Sequence, residues 1–171
     1  MKRLNALFLF VASLAPTAAA LAQNENTKPT AEFFRLDFSV KETESGKLVS
    51  SRNYQMMVTT DPSFSSIRSG AKVPVSSGDK SFTYVDVGVN IDVRHIHHMN
   101  DGLSIDISAE VSGAVESPDS SQHQSGPPVI RQSRLSSTVL AQLRKPTVLF
   151  TTDDPATKRQ TQLDVTVTPV R

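Results

Sequence analysis

The sequence has no cysteine. Disulfide staples, thiolate chemistry and a lipid-modified Cys behind a leader are therefore excluded, and whatever core forms must hold by packing alone. Beyond the first 22 residues no run is long and apolar enough to span a membrane as a helix, and there is neither an internal repeat nor an amphipathic helical period. The sequence also lacks a Gly-x-Ser-x-Gly elbow, a phosphate loop and a dinucleotide fingerprint. A surplus of basic charge is missing too. The 18 Lys and Arg face 17 Asp and Glu, and two of the basic residues, Lys2 and Arg3, fall at the N-terminus. Without residues 1–22 the count is 16 basic to 17 acidic, a net charge of −1. Nucleic-acid binding, which wants a clustered basic surface, is not expected.

Residues 1–22 read as a cleavable signal peptide. Lys2 and Arg3 precede an apolar run from Leu4 to Leu14, and Ala20-Leu21-Ala22 offers small residues for cleavage after Ala22. The apolar run is too short to span a bilayer. The expected destination is the periplasm, with secretion as the alternative. Residues 23–32 are a polar, flexible leader, and residues 33–171 are one domain, long enough to bury a core without staples.

That domain is written in a two-residue rhythm. Val85, Val87, Val89, Ile91 and Val93 alternate with Asp86, Gly88, Asn90, Asp92 and Arg94. Successive side chains of a strand point to opposite faces, so one face is made for a core and the other for water. After Asn100-Asp101-Gly102 the pattern resumes with Leu103, Ile105, Ile107, Ala109 and Val111. The three-residue interruption predicts a hairpin in which Gly102 supplies a positive φ. The same alternation places strands at Phe34–Val40, around Tyr54–Val58, at Val129–Leu143, at Thr147–Thr152 and at Leu163–Val167. Turns are expected at Glu42–Lys47, Thr60–Ser63, Ser69-Gly70, Ser76–Lys80, Arg144–Pro146 and Asp153–Arg159, and a disordered loop at 113–128. Ser65–Arg68 is a short strand, and Lys72–Val75 an extended piece in which Pro74 marks a sheet edge. The fold class is all-β: an antiparallel sandwich or partly open barrel of about eight strands.

Three constellations bear on chemistry. His95 and His97 end the central strand on the parity of Val93, so both fit one metal ion, with Asp101 or Glu110 to complete it; alternatively the two rings cover the rim of the core. Ser69/Lys72 and Ser77/Lys80 each fit Ser-x-x-Lys, a nucleophile–base pair that needs a helix these turn-rich segments do not offer. Asp86, Asn90 and Asp92 share a polar strand face, with Asp106 and Glu110 on the neighbouring strand, and its paired carboxylates are suited to acid–base work or calcium. The competing reading is a solvated face with cross-strand partners such as Arg94. No catalytic residue and no cofactor is assigned.

Five segments resemble the core β-domain of bacterial secretins, the ring-forming outer-membrane channels of secretion and pilus systems. They are Ser69–Val75 (Gly-x-x-[Ile/Val]-Pro-[Val/Tyr]), Tyr84–Val93, Asp101–Ser112, Pro128–Val139 and Leu163–Pro169, in the family's order. The resemblance implies a secretin-like fold, no enzymatic activity, and a homo-oligomer or an envelope protein as partner. The stretch before residue 33 is too short for the large ring modules of secretins to be expected in it, and where secretins carry a Gly-Gly-Leu and a membrane lip this chain runs from Phe150 into Thr151-Thr152-Asp153-Asp154-Pro155. The expectation is a short soluble relative of the fold. The alternative is a periplasmic module that binds a small ligand or metal at the His95/His97 strand end.

Overall fold

The computed structural model describes residues 31–60, 64–76, 81–115, 128–154 and 158–170. The proposed signal peptide and the Ser77/Lys80 pair lie outside them. Eight strands account for most of what is described: β1 (Phe33–Glu44), β2 (Lys47–Thr59), β3 (Ser65–Ser76), β4 (Phe82–Met99), β5 (Gly102–Val115), β6 (Val129–Gln142), β7 (Pro146–Asp154) and β8 (Arg159–Val170). They form two four-stranded antiparallel sheets, ordered β2-β1-β8-β7 and β3-β4-β5-β6. Among the described residues there is no helix and no closed barrel, so the all-β expectation is met, with the sandwich as its form.

The alternation does what its period dictates. Phe34, Leu36, Phe38 and Val40 of β1 and Leu163, Val165 and Val167 of β8 are buried against Val89, Ile91 and Val93 of β4 and Leu103, Ile105, Ile107, Ala109 and Val111 of β5. The core is thus made chiefly by the inner two strands of each sheet, with Val58 of β2 and Ala141 of β6 added. Among the described residues the outer strands β2, β3, β6 and β7 each pair with one neighbour only, which leaves four edges.

Several expected breaks are continuous strand. Ser69-Gly70 is not a turn: β3 runs unbroken through it, paired with β4 from Ser65↔Val93 to Ser76↔Phe82. Gly70 lies opposite Gly88, and a Cβ on Gly88 would stand 2.1 Å from the Ser69 carbonyl oxygen. Glycine is there because two backbones approach, not because the chain reverses. Gly102 is corrected the same way. It is not among the positive-φ residues, and a Cβ on it would stand 2.3 Å from the Ala141 carbonyl oxygen. A tight turn that does use positive φ is Ser45-Gly46 (φ 51° and 80°), a two-residue hairpin turn of the primed kind. Glu42–Glu44, Asp153 and Asp154 were expected as turn and are strand, as are Gly113–Val115 at the start of the expected loop. The rest of that loop, 116–127, lies outside the described residues.

At one end the second sheet opens. The β4–β5 ladder stops at Val89↔Val111. The Gly88 N–H donates instead to the Ser112 hydroxyl at 3.0 Å. Beyond that point 82–88 pair only with β3, and 112–115 only with β6.

Candidate functional site

The His95/His97 strand end is built on a bulge. Arg94 pairs with Asp106 and His97 with Ser104, so β4 carries one residue more than β5 over this stretch. His95 takes the extra place with φ 46°, a left-handed conformation that His adopts more readily than β-branched residues do. The insertion reverses the parity, and the core position after Val93 goes to Ile96, which is 4% exposed. Neither imidazole covers the core rim as expected; both are exposed. His95 Nδ1 lies 2.8 Å from Asp106 Oδ2, and the Thr138 hydroxyl donates to Asp106 Oδ1 at 2.5 Å. Asp106 therefore takes the place expected of Asp101 or Glu110 beside the histidines. Among the described residues no three His, Cys, Asp or Glu side chains converge to hold a metal ion. His98 turns elsewhere, edge-on to Phe34 with Nδ1 2.6 Å from Glu32 Oε2.

The Thr138 hydrogen bond, and after it the His95 ring, hold the Asp106 carboxyl below its ordinary 3.8. A carboxylate depressed in the folded state stabilises that state above its unfolded pKa and loses the contribution as pH falls through the folded value. Thr138→Val should therefore lower the urea midpoint at pH 7, and the deficit should shrink as pH falls below 3.8 until both proteins carry a neutral Asp106. Paired urea titrations at pH 7 and about pH 2 check this. A deficit equal at both would assign the loss to packing.

The paired carboxylates are occupied by cross-strand cations. Asp86 accepts from Lys72 at 2.9 Å, Asp92 from Arg68 at 2.6 Å and Glu110 from Arg134 at 2.5 Å. Arg134 also holds the Glu110 carboxyl below its usual range. Arg94, the partner expected for this face, lies instead over the Phe64 ring, 4.7 Å from its centroid. The Ser69/Lys72 pair is not brought together as a helix would bring it. Three residues apart on a strand they point to opposite faces, and the Lys72 ammonium is engaged by Asp86.

The arrangement that sequence reasoning missed lies between the sheets. At the open end four inward-facing rows change from apolar to polar at the same level. Val40 gives way to Glu42 and Glu44 on β1; Leu163 to Thr161 and Arg159 on β8; Phe150 to Thr152 and Asp154 on β7; Leu135 to Ser133 and Arg131 on β6. On β2, Arg52 lies opposite Val40. Arg52 and these polar positions other than Glu44 line a cleft of about 200 Å³ between the sheets. Arg52 Nη2 donates to Glu42 Oε1 at 2.5 Å, and Arg159 Nη2 to Glu44 Oε2 at 3.4 Å. Arg131 of one sheet pairs with Asp154 of the other. The signal was present in the sequence as a phase that persists while hydrophobicity ends.

Neither a family model nor a curated protein sequence matches the chain. Solved structures to which it is similar include the type II secretion system secretin GspD of E. coli K12, at 14% identity over 82% of this chain and 48% of that one, TM-score 0.44. The secretin-domain β-barrel of InvG from the Salmonella SPI-1 injectisome aligns at 8% identity over 82% and 62%, TM-score 0.46. The type II secretin XcpQ of Pseudomonas aeruginosa aligns at 14% identity over 82% and 58%, TM-score 0.43. The chain spans less than two thirds of the length of each.

Proposed function

We propose that this chain is an exported, non-enzymatic β-domain of the cell envelope that works by lateral assembly, with copies of itself or with an envelope protein of a secretion or pilus system. The observation that carries the reading is the placement of the four edges. β2 and β3 flank one side of the sandwich, β6 and β7 the other. Each sheet has four antiparallel strands, an even number, so a like-oriented neighbour set alongside meets β6 with its β3, and β7 with its β2, in antiparallel sense. One sideways step thus extends both sheets at once, and a head-to-tail contact of this kind generates a ring where its rotation closes and an open filament where it does not. β6 offers 14 residues with no proline, and β3 12 with Pro74 alone. The five segments that resemble secretins include most of β3, β4, β5, β6 and β8, which supports the same reading.

Native mass spectrometry of the mature protein, alone and with envelope extract, is the test. Assemblies above the monomer are expected, and Leu140→Lys on β6, where the wild-type side chain is 62% exposed, should dissolve them while leaving circular dichroism unchanged. A strict monomer that captures no envelope protein would rule the reading out.

A further inference from the structure

One residue pair marks the place where the second sheet opens. The β4–β5 ladder runs without a register shift from Arg94↔Asp106 to Val89↔Val111, and one more step would pair Gly88 with Ser112. The Ser112 side chain takes that place. Its hydroxyl oxygen accepts the Gly88 N–H at 3.0 Å, and its O–H donates to the Gly88 carbonyl oxygen at 3.4 Å. A side chain thus holds both backbone groups of Gly88. A serine hydroxyl can do this because it is short enough to offer the backbone a local alternative to a ladder. Ser112 is 7% exposed, so neither Gly88 group loses its partner to water. Past this point each arm keeps one neighbour, 82–88 with β3 and 112–115 with β6. Bulk does not hold the arms apart at Gly113, since a Cβ there would meet nothing within 4 Å.

We propose that Ser112 is a latch that holds the second sheet forked, and that the fork zips when its hydroxyl is withdrawn. The register defines the zipped state. Gly88 then pairs with the Ser112 backbone, Val87 lies opposite Gly113, and Asp86 pairs with Ala114. The two arrangements differ in which part of Ser112, side chain or backbone, satisfies Gly88, so one hydroxyl biases the balance between them. The inference does not depend on lateral assembly, because β4 and β5 belong to one chain.

The chain has no cysteine, so two introduced ones report only on each other. Opposite residues of a ladder stand about 4.5–5.5 Å apart, within reach of a disulfide. Asp86→Cys with Ala114→Cys probes the zipped state at two exposed positions. Asp92→Cys with Ser108→Cys, already opposite each other in the ladder, is the positive control. Under one mild oxidant the control pair of the mature protein should close quickly and the 86/114 pair slowly. Ser112→Ala should speed the 86/114 pair by about fivefold or more and leave the control alone. Ser112→Thr keeps the hydroxyl and should leave both rates as they are. A 86/114 pair as fast as the control with Ser112 in place would overturn the proposal. So would a rate that Ser112→Ala does not change, or that Ser112→Thr raises as much. If Ser112→Ala unfolds, the unsubstituted protein decides by NMR. A slowly exchanging Ser112 hydroxyl proton, with no Hα–Hα contact between Val87 and Gly113, supports the latch; a hydroxyl proton lost to solvent exchange, or that contact, refutes it.

Discussion

Gly88→Ala is expected to destabilise the protein by about 3 kcal/mol, far more than one added methyl costs at an ordinary strand position. Two terms contribute. Gly88 has φ 148°, in a region open essentially to glycine, and holding another residue there costs about 1–3 kcal/mol. The new Cβ would also stand 2.1 Å from the Ser69 carbonyl oxygen and 2.5 Å from the Gly70 Cα. Both are backbone, so the strands themselves must move, an overpacking cost of about 1–3 kcal/mol. Gly46→Ala is the control. Its φ is 80°, but nothing lies within 4 Å of the added atom, so only the conformational cost of about 1–2 kcal/mol applies. Urea midpoints of the two variants measure the difference. Equal losses would mean that β3 and β4 do not approach at Gly70 and Gly88 in solution. The site matters beyond stability, because Gly88 is also where β4 parts from β5 and hands its N–H to Ser112.

What could be read in advance, and what could not, follows from which interactions are local. The two-residue rhythm is local, and it located the strands and the core face of β1, β4, β5 and β8. Strand ends were misplaced wherever charge was taken to mean turn. Glu42 and Glu44 keep the phase of Phe38 and Val40, and Thr161 and Arg159 that of Leu163; the phase persisted while the polarity changed. The histidine bulge was missed, since His95 and His97 were placed in phase with Val93, although a local signal for it exists. Val93 is followed by an apolar residue at Ile96, three positions on, and an odd step is a phase jump. Gly70 and Gly88 were not legible, since their reason is a contact between residues 18 apart that exists only once β3 and β4 are paired. The cleft needed the same step. No single strand shows that four rows turn polar at one level until the register aligns them.

The other large effect is expected at Phe38, the largest of the fully buried side chains, which is 1% exposed. It sits at the middle of β1 with Tyr54 across on β2 and Val165 across on β8, and it faces the second sheet. Phe38→Ala should cost about 3–5 kcal/mol, the lost transfer energy plus the cavity that the two sheets cannot collapse to fill. Against a total of about 5–15 kcal/mol for a domain of this size, that is a fifth or more of the stability. The melting temperature should fall by about 6–20 °C, at roughly 2–4 °C per kcal/mol for 150–250 residues. Relaxation is limited by where Phe38 lies. Only Val40 separates it from Glu42 on the same strand, and Arg52 stands beside Val40 on β2. Sliding the sheets to close the cavity would draw those charges toward the apolar core, so the cavity stays open and the cost stays high. Phe33→Ala, at a position 54% exposed near the start of the same strand, is the control and should change stability by less than about 0.5 kcal/mol. Thermal and urea unfolding of the pair measure both. A Phe38 variant as stable as the Phe33 variant would mean that the two sheets are not packed face to face through the middle of β1.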